Sequence, residues 1–288
     1  MISARLVTAL ARSALLEEVR ATPKPGLVDL LDCGAHRDMD ACTFFRSAEA
    51  IAPYLGQMFQ TAAGWDGTLP ALFREIRRTG LAAETAMFRA TSGVNTHRGA
   101  IFTLGLLSAG AGRCLSRTGA LLADEILDLS QDLAAQPLRE ELEVISAKVP
   151  VTYGEQLYAA TGRAGIRGEA IAGFPALRRT ALPALAAGGQ PDRNRQLLRV
   201  LLELMTVVED TAVLHRAGWE GLDWMRAQAL DFLRAWPVLT DPAMEALSRL
   251  NRECVARNLS PGGCADLLSG ALFLEGMERL SGGRPDGP

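Results

Sequence analysis

The segment FFRSAEAIAPYLGQMF (44–59) decides the fold class: Phe44, Ala48, Ile51, Leu55 and Phe59 recur at three- and four-residue steps, the spacing of one face of an α-helix. Pro53 falls inside this stripe, where its missing N–H predicts a kink. Comparable stripes cover 70–90, 98–110, 119–134, 194–217, 221–235, 241–257 and 264–280. Ala and Leu, both favourable helix formers, fill most of them, and the alternation expected of strands is missing. The small residues Gly99, Ala100, Gly105 and Ala109 on one segment predict closely packed helices. The chain therefore reads as all-α: a multi-helix bundle whose active site is built from inter-helix loops. It is expected to form one domain over 1–280, with SGGRPDGP (281–288) as a flexible C-terminal tail.

Composition narrows the classes of function. Of the 288 residues, 48% are hydrophobic and 22% charged, as in ordinary globular proteins. A net charge of −3 with scattered basic residues gives no general attraction to nucleic acid or to an anionic membrane. No apolar run reaches the roughly 20 residues that cross a bilayer. Arg12, Glu17, Glu18 and Arg20 interrupt the apolar N-terminus, which reads as an amphipathic helix rather than a targeting segment. A cytoplasmic location is expected. Cys33, Cys42, Cys114, Cys254 and Cys264 form no CxxC pair, so neither a disulfide framework nor a thiolate zinc site is expected.

Five polar connections stand out: KPGLVDLLDCGAHRDMD (24–40), TSGVNTHRGA (91–100), GIRGEAIAGFP (165–175), EDTAVLHRAG (209–218) and NLSPGGCADLL (258–268). The chain's three histidines, His36, His97 and His215, all fall in them, and each is followed by arginine. Imidazole and guanidinium both donate to phosphate oxygens, and no HExxH spacing supports zinc. Lys24, one of two lysines, stands between Pro23 and Pro25, a stiff position suited to a phosphate contact or to a solvated loop. The helix 194–217 is apolar nearly all round, so it is buried. Glu203, Thr206 and Asp210 share one of its faces, where Asp210 could bind magnesium or substrate, or pair with an arginine. Ser260 and Pro261 read as a helix start. Gly262 and Gly263 would let its amides approach an anion. Asn95 or Thr96 would cap the helix that follows His97. No Walker or GxGxxG loop occurs.

Taken in order, KPGLVD with GAHRDMD, GVNTHRGAIF, GIRGEA, EDT…HRAG and SPGGCADLL resemble the triphosphoribosyl-dephospho-CoA synthase family, which serves citrate lyase and malonate decarboxylase. The resemblance runs from about Thr22 to Leu274, with Arg98 where the family often has lysine and Cys264 where serine is usual. It implies a transferase that uses ATP and 3′-dephospho-CoA. The 5-triphosphoribosyl group moves to the ribose 2′-hydroxyl and adenine leaves. The product is the prosthetic-group precursor, handed to a carrier-protein transferase for the acyl-carrier subunit. The absence of a fused carrier-transferase domain favours malonate decarboxylase.

That reaction needs carboxylates near C1′, a general base, and magnesium with cationic donors on the triphosphate. The candidates for nucleotide contact are Lys24, Asn95, His97, Arg98, Arg167, Arg216, Ser260, Gly262 and Gly263. Those on the metal side are Asp29, Asp38, Asp210 and Asp266, and Glu169 is the candidate general base, with Asp210 and His97 as further catalytic candidates. Rival readings are a magnesium-dependent ADP-ribosyl-hydrolase-like enzyme and a non-catalytic helical adaptor of the acyl-carrier subunit. Apolar helical faces would serve a homodimer as well as a core.

Overall fold

Short polar side chains start several of the helices by accepting the first free amides. Ser3 accepts from Leu6 N at the head of α1 (Ala4–Arg20), and Asp40 accepts from Thr43 N at the head of α2 (Ala41–Ala63). Thr68 precedes α3 (Leu69–Ala90), and α4 (Arg98–Thr118) ends on Gly119 in the left-handed region. The α5 helix (Ala123–Ala147) leads to α6 (Tyr153–Thr161), which a reciprocal Thr152–Glu155 box caps. Next come α7 (Ile166–Ile171), a π-helical turn (Leu177–Ala181), α8 (Leu182–Ala187) and α9 (Arg193–Val207). Last are α10 (Thr211–Ala235), α11 (Asp241–Ala256) and α12 (Gly262–Leu280). This computed structural model describes residues 2–147 and 149–282, leaving out the side chains at 146 and 147; most of the expected tail, 283–288, lies outside them.

The described residues form an all-α bundle without a strand. The α4 helix lies at its centre, packed against α2, α3, α5 and α12, while α1 packs on α2 and α12. Backbones come close where side chains are smallest. A Cβ on Gly112 would stand 2.3 Å from Phe59 O of α2, so only glycine lets the two helices meet there. By length and composition α4 would also cross a membrane, contrary to the sequence reading, but 72% of that window is buried in the bundle. It is a core helix.

The α2 helix runs through Pro53 without ending there. One sequence expectation is corrected: the single helix expected over 194–217 is two. The α9 helix stops at Val207, Val208 turns extended (φ −76°, ψ 134°), and Asp210 becomes the N-cap of α10. The break was concealed because Glu203, Thr206 and Asp210 keep a helical spacing across it, although Val207 there is half exposed. Glu203 therefore pairs with Arg199 at 2.7 Å and shares no face with Asp210. Within α10 the helix breaks again at Gly218 (φ 63°, ψ −163°), a left-handed conformation that favours glycine.

Candidate active site

Lys24 is neither solvated nor on the surface. It is 1% exposed, and its ammonium pairs with the carboxylate of Glu18 and donates to Glu18 O at 2.9 Å. Glu18 stands on the buried face of α1 with Val7, Ala11, Ala14 and Leu15. Burial pushes its carboxyl up, and Lys24 pulls it back. Asp29 holds the loop that presents the lysine. One oxygen accepts from Lys24 N at 2.8 Å, and the other from Leu31 N and Asp32 N at 2.7 and 3.2 Å. With both oxygens engaged by backbone, Asp29 does not fit the metal role expected of it.

The TSGVNTHRGA segment carries the second cluster. Its N-cap residue is His97, not Asn95 or Thr96, although Asn95 Oδ1 accepts from Arg98 N at 3.3 Å. His97 is 3% exposed; its Nδ1 lies 2.7 Å from Ser47 Oγ, and its ring stands edge-on to Phe44. Burial and the neighbouring Lys24 push its pKa down to about 3. Arg98 reaches the rim, where Glu84 accepts from it at 2.9 Å and the guanidinium lies over Phe88.

The third cluster joins α10 to α12. Asp210 is 1% exposed. Its Oδ1 accepts from Ala212 N and Val213 N at 2.9 and 3.2 Å, and its Oδ2 accepts from Cys264 N at 3.0 Å. It caps two helices with three of its acceptor positions, which ties it to the backbone instead of to the metal or catalytic roles expected from the motif. Gly263 fits because a Cβ there would lie 3.0 Å from Asp210 Oδ2. Ser260 does not cap α12; its hydroxyl lies 2.9 Å from His36 Nε2. Arg216 donates to Ala35 O and Asn258 Oδ1 at 2.8 and 3.0 Å, tying the 24–40 loop to the 258–268 loop. Asp38 sits exposed at the same edge.

Asp266, one turn into α12, accepts from Ala100 N; burial, helped by Asp210 and Glu18, raises its carboxyl well above the ordinary range. Gly99 makes room for it, since a Cβ there would stand 1.9 Å from Asp266 Oδ2. Gly99→Ala should therefore displace this carboxylate. The expected result is a loss of turnover on the order of tenfold or more with the far-ultraviolet helical signal unchanged.

These parts line one cavity of about 740 Å³. Lys24, Asp38, Asn95, His97, Arg98, Arg167, Arg216, Ser260, Gly262, Gly263 and Asp266 all face it. Asp29, Asp210 and Glu169 do not line it. Glu169 faces away: its Oε2 accepts from Ala176 N at 3.1 Å, closing the turn after α7. Its carboxyl is raised by burial, but it lacks the access that the expected general base requires. Sequence reasoning missed Glu18, Ser47, Arg77 and Glu84. A carboxylate in register with Val7, Ala11 and Leu15 was the available sign for Glu18.

Among the described residues no group of three or more His, Cys, Asp or Glu side chains could hold a metal unaided. The donor set still suits magnesium. Asp266 offers hard oxygen, carries no ion pair among the described residues, and faces the cavity through the space left by Gly99. Magnesium commonly takes one or two carboxylates and completes its shell with phosphate oxygens and water.

A helical bundle with a cationic, carboxylate-bearing cavity between its loops defines an enzyme class that handles phosphorylated small molecules. The family model for ATP:dephospho-CoA triphosphoribosyl transferase matches residues 4–285, and the chain belongs to that family. It is 41% identical to a protein of Citrobacter koseri assigned as 2-(5''-triphosphoribosyl)-3'-dephosphocoenzyme-A synthase, over 94% of this chain and 90% of that one. The homologue of the same assignment in Salmonella typhimurium is 42% identical over 95% and 91%. The Klebsiella pneumoniae synthase is 39% identical over 95% and 91%. In fold, the chain resembles a crystal structure from Archaeoglobus fulgidus assigned as a triphosphoribosyl-dephospho-CoA synthase. That match has a TM-score of 0.53 at 19% identity, over 80% of this chain and 98% of the other. The chain is a transferase, and the resemblance seen in its motifs holds across its length.

Proposed function

We propose that this transferase moves the 5-triphosphoribosyl group of ATP onto the ribose 2′-hydroxyl of 3′-dephospho-CoA, releasing adenine, in the cytoplasm. One observation carries the reading: Lys24, His97, Arg98, Arg167 and Asp266, from four separate parts of the chain, face a single cavity. Lys24 and His97 hold phosphate at the buried end, and Arg98 and Arg167 receive the rest of the charge. Magnesium would be held by Asp266, and would neutralise the triphosphate against hydrolysis. Once magnesium ionises it, Asp266 would also favour the positive character that grows at C1′ as adenine leaves. The product serves malonate decarboxylase, through a carrier-protein transferase that accepts it, and citrate lyase is the alternative destination.

Incubation with ATP, magnesium and 3′-dephospho-CoA should release adenine and yield a coenzyme enlarged by one triphosphoribosyl group, read by mass spectrometry. Adenine release without dephospho-CoA would instead indicate a hydrolase, and no ATP-dependent product would indicate an adaptor. Omitting magnesium should stop the reaction.

A further inference from the structure

Ser47, fully buried on α2, links two side chains of the TSGVNTHRGA segment. Its Oγ lies 2.7 Å from Thr96 Oγ1, which donates to it, and 2.7 Å from His97 Nδ1. With Thr96 donating into one lone pair of Ser47 Oγ, the hydroxyl proton of Ser47 is available to His97 Nδ1. When Ser47 donates there, the neutral imidazole carries its one proton on Nε2. His97 Nε2 is buried in the cavity wall and has no hydrogen-bond partner among the described residues. Beside it, the Lys24 ammonium has three protons, two of which go to Glu18 O and Glu18 Oε1. One remains.

We propose that His97 binds a phosphoryl oxygen of the nucleotide as a neutral donor, through Nε2–H beside Lys24, and that Ser47 is the positioning residue that holds this tautomer. The inference rests on reading the cavity as the triphosphate site. The charged groups facing the ring are the Lys24–Glu18 pair, and Asp266 of α12 shares its cavity. Burial and Lys24 keep the imidazole uncharged, with a pKa of about 3. An uncharged donor contributes a directed hydrogen bond where a second buried cation beside Lys24 would be repelled. His97 thus keeps its proton through the cycle and takes no part as an acid or base.

The test uses full-length protein with ¹⁵N-labelled histidine, in which the three rings are assigned by replacing His36 and His215 in turn. His97 should remain neutral from about pH 5 to pH 9, with its proton on Nε2, and inorganic triphosphate should move that proton's resonance downfield. Ser47→Ala should populate both tautomers and weaken triphosphate binding about fivefold, with no such change at His36 or His215. His97→Phe should weaken binding about tenfold or more. His97→Gln, which places an amide N–H near the Nε2 position, should stay within about threefold of the wild type. A proton on Nδ1, a charged ring at neutral pH, or triphosphate binding that leaves the Nε2 resonance unmoved would each overturn the proposal. Adenine release from the same sample separates these failures from failure of the triphosphoribosyl-transfer reading itself.

Discussion

Lys24→Met is expected to lower kcat/KM at least about a hundredfold and to destabilise the fold at the same time. Lys24 and Glu18 are both nearly inaccessible, and each is the other's only ion-pair partner among the described residues. Removing one member of a buried pair leaves an uncompensated charge and costs about 3–5 kcal/mol. A fall in melting temperature on the order of 10 °C should follow. The two effects can be separated. Glu18→Gln combined with Lys24→Met removes both charges and should recover much of the stability, since a neutral buried pair avoids the desolvation cost. It should not recover turnover, because the phosphate-facing ammonium is still missing. Wild-type adenine release by Lys24→Met, or recovery of activity in the double variant, would take Lys24 out of the site.

Asp266→Asn should have the opposite profile: activity down by about a hundredfold or more, with stability at neutral pH unchanged or raised. The sign follows from linkage. The carboxyl of Asp266 is held well above its ordinary value by burial and by Asp210 and Glu18. Between the unfolded and folded pKa values the native state binds the proton and the unfolded chain does not. Stability therefore falls as pH rises through that window. The amide carries no charge to desolvate, so the variant should lose this pH dependence. Magnesium–triphosphate, by supplying positive charge, should stabilise the wild type more than the variant in a thermal shift assay. Equal shifts in the two proteins would show that Asp266 does not face the bound metal complex.

The period of Phe44, Ala48, Ile51, Leu55 and Phe59 was enough to read the all-α class, because amphipathic helices encode their buried face locally. Breaks between buried helices were harder to see. Glu203, Thr206 and Asp210 keep three- and four-residue steps across Val207 and Val208, so no change of period marks the end of α9. The motifs likewise brought most of the cavity-lining residues to attention, since Gly, His and Arg in connections are unusual. Motif membership did not say which way a side chain points. Glu169 and Arg167 are two residues apart on α7, yet only Arg167 faces the cavity. Asp210 and Asp29 stand in polar connections of the sequence, but in space their carboxylates accept from backbone amides. Glu18 lies outside every motif and becomes visible only once α1 packs.

The carboxylate shared by the first turns of α10 and α12 makes that seam of the molecule a weld. Parting the two helices would free three buried amides together, so this wall should stay shut during turnover.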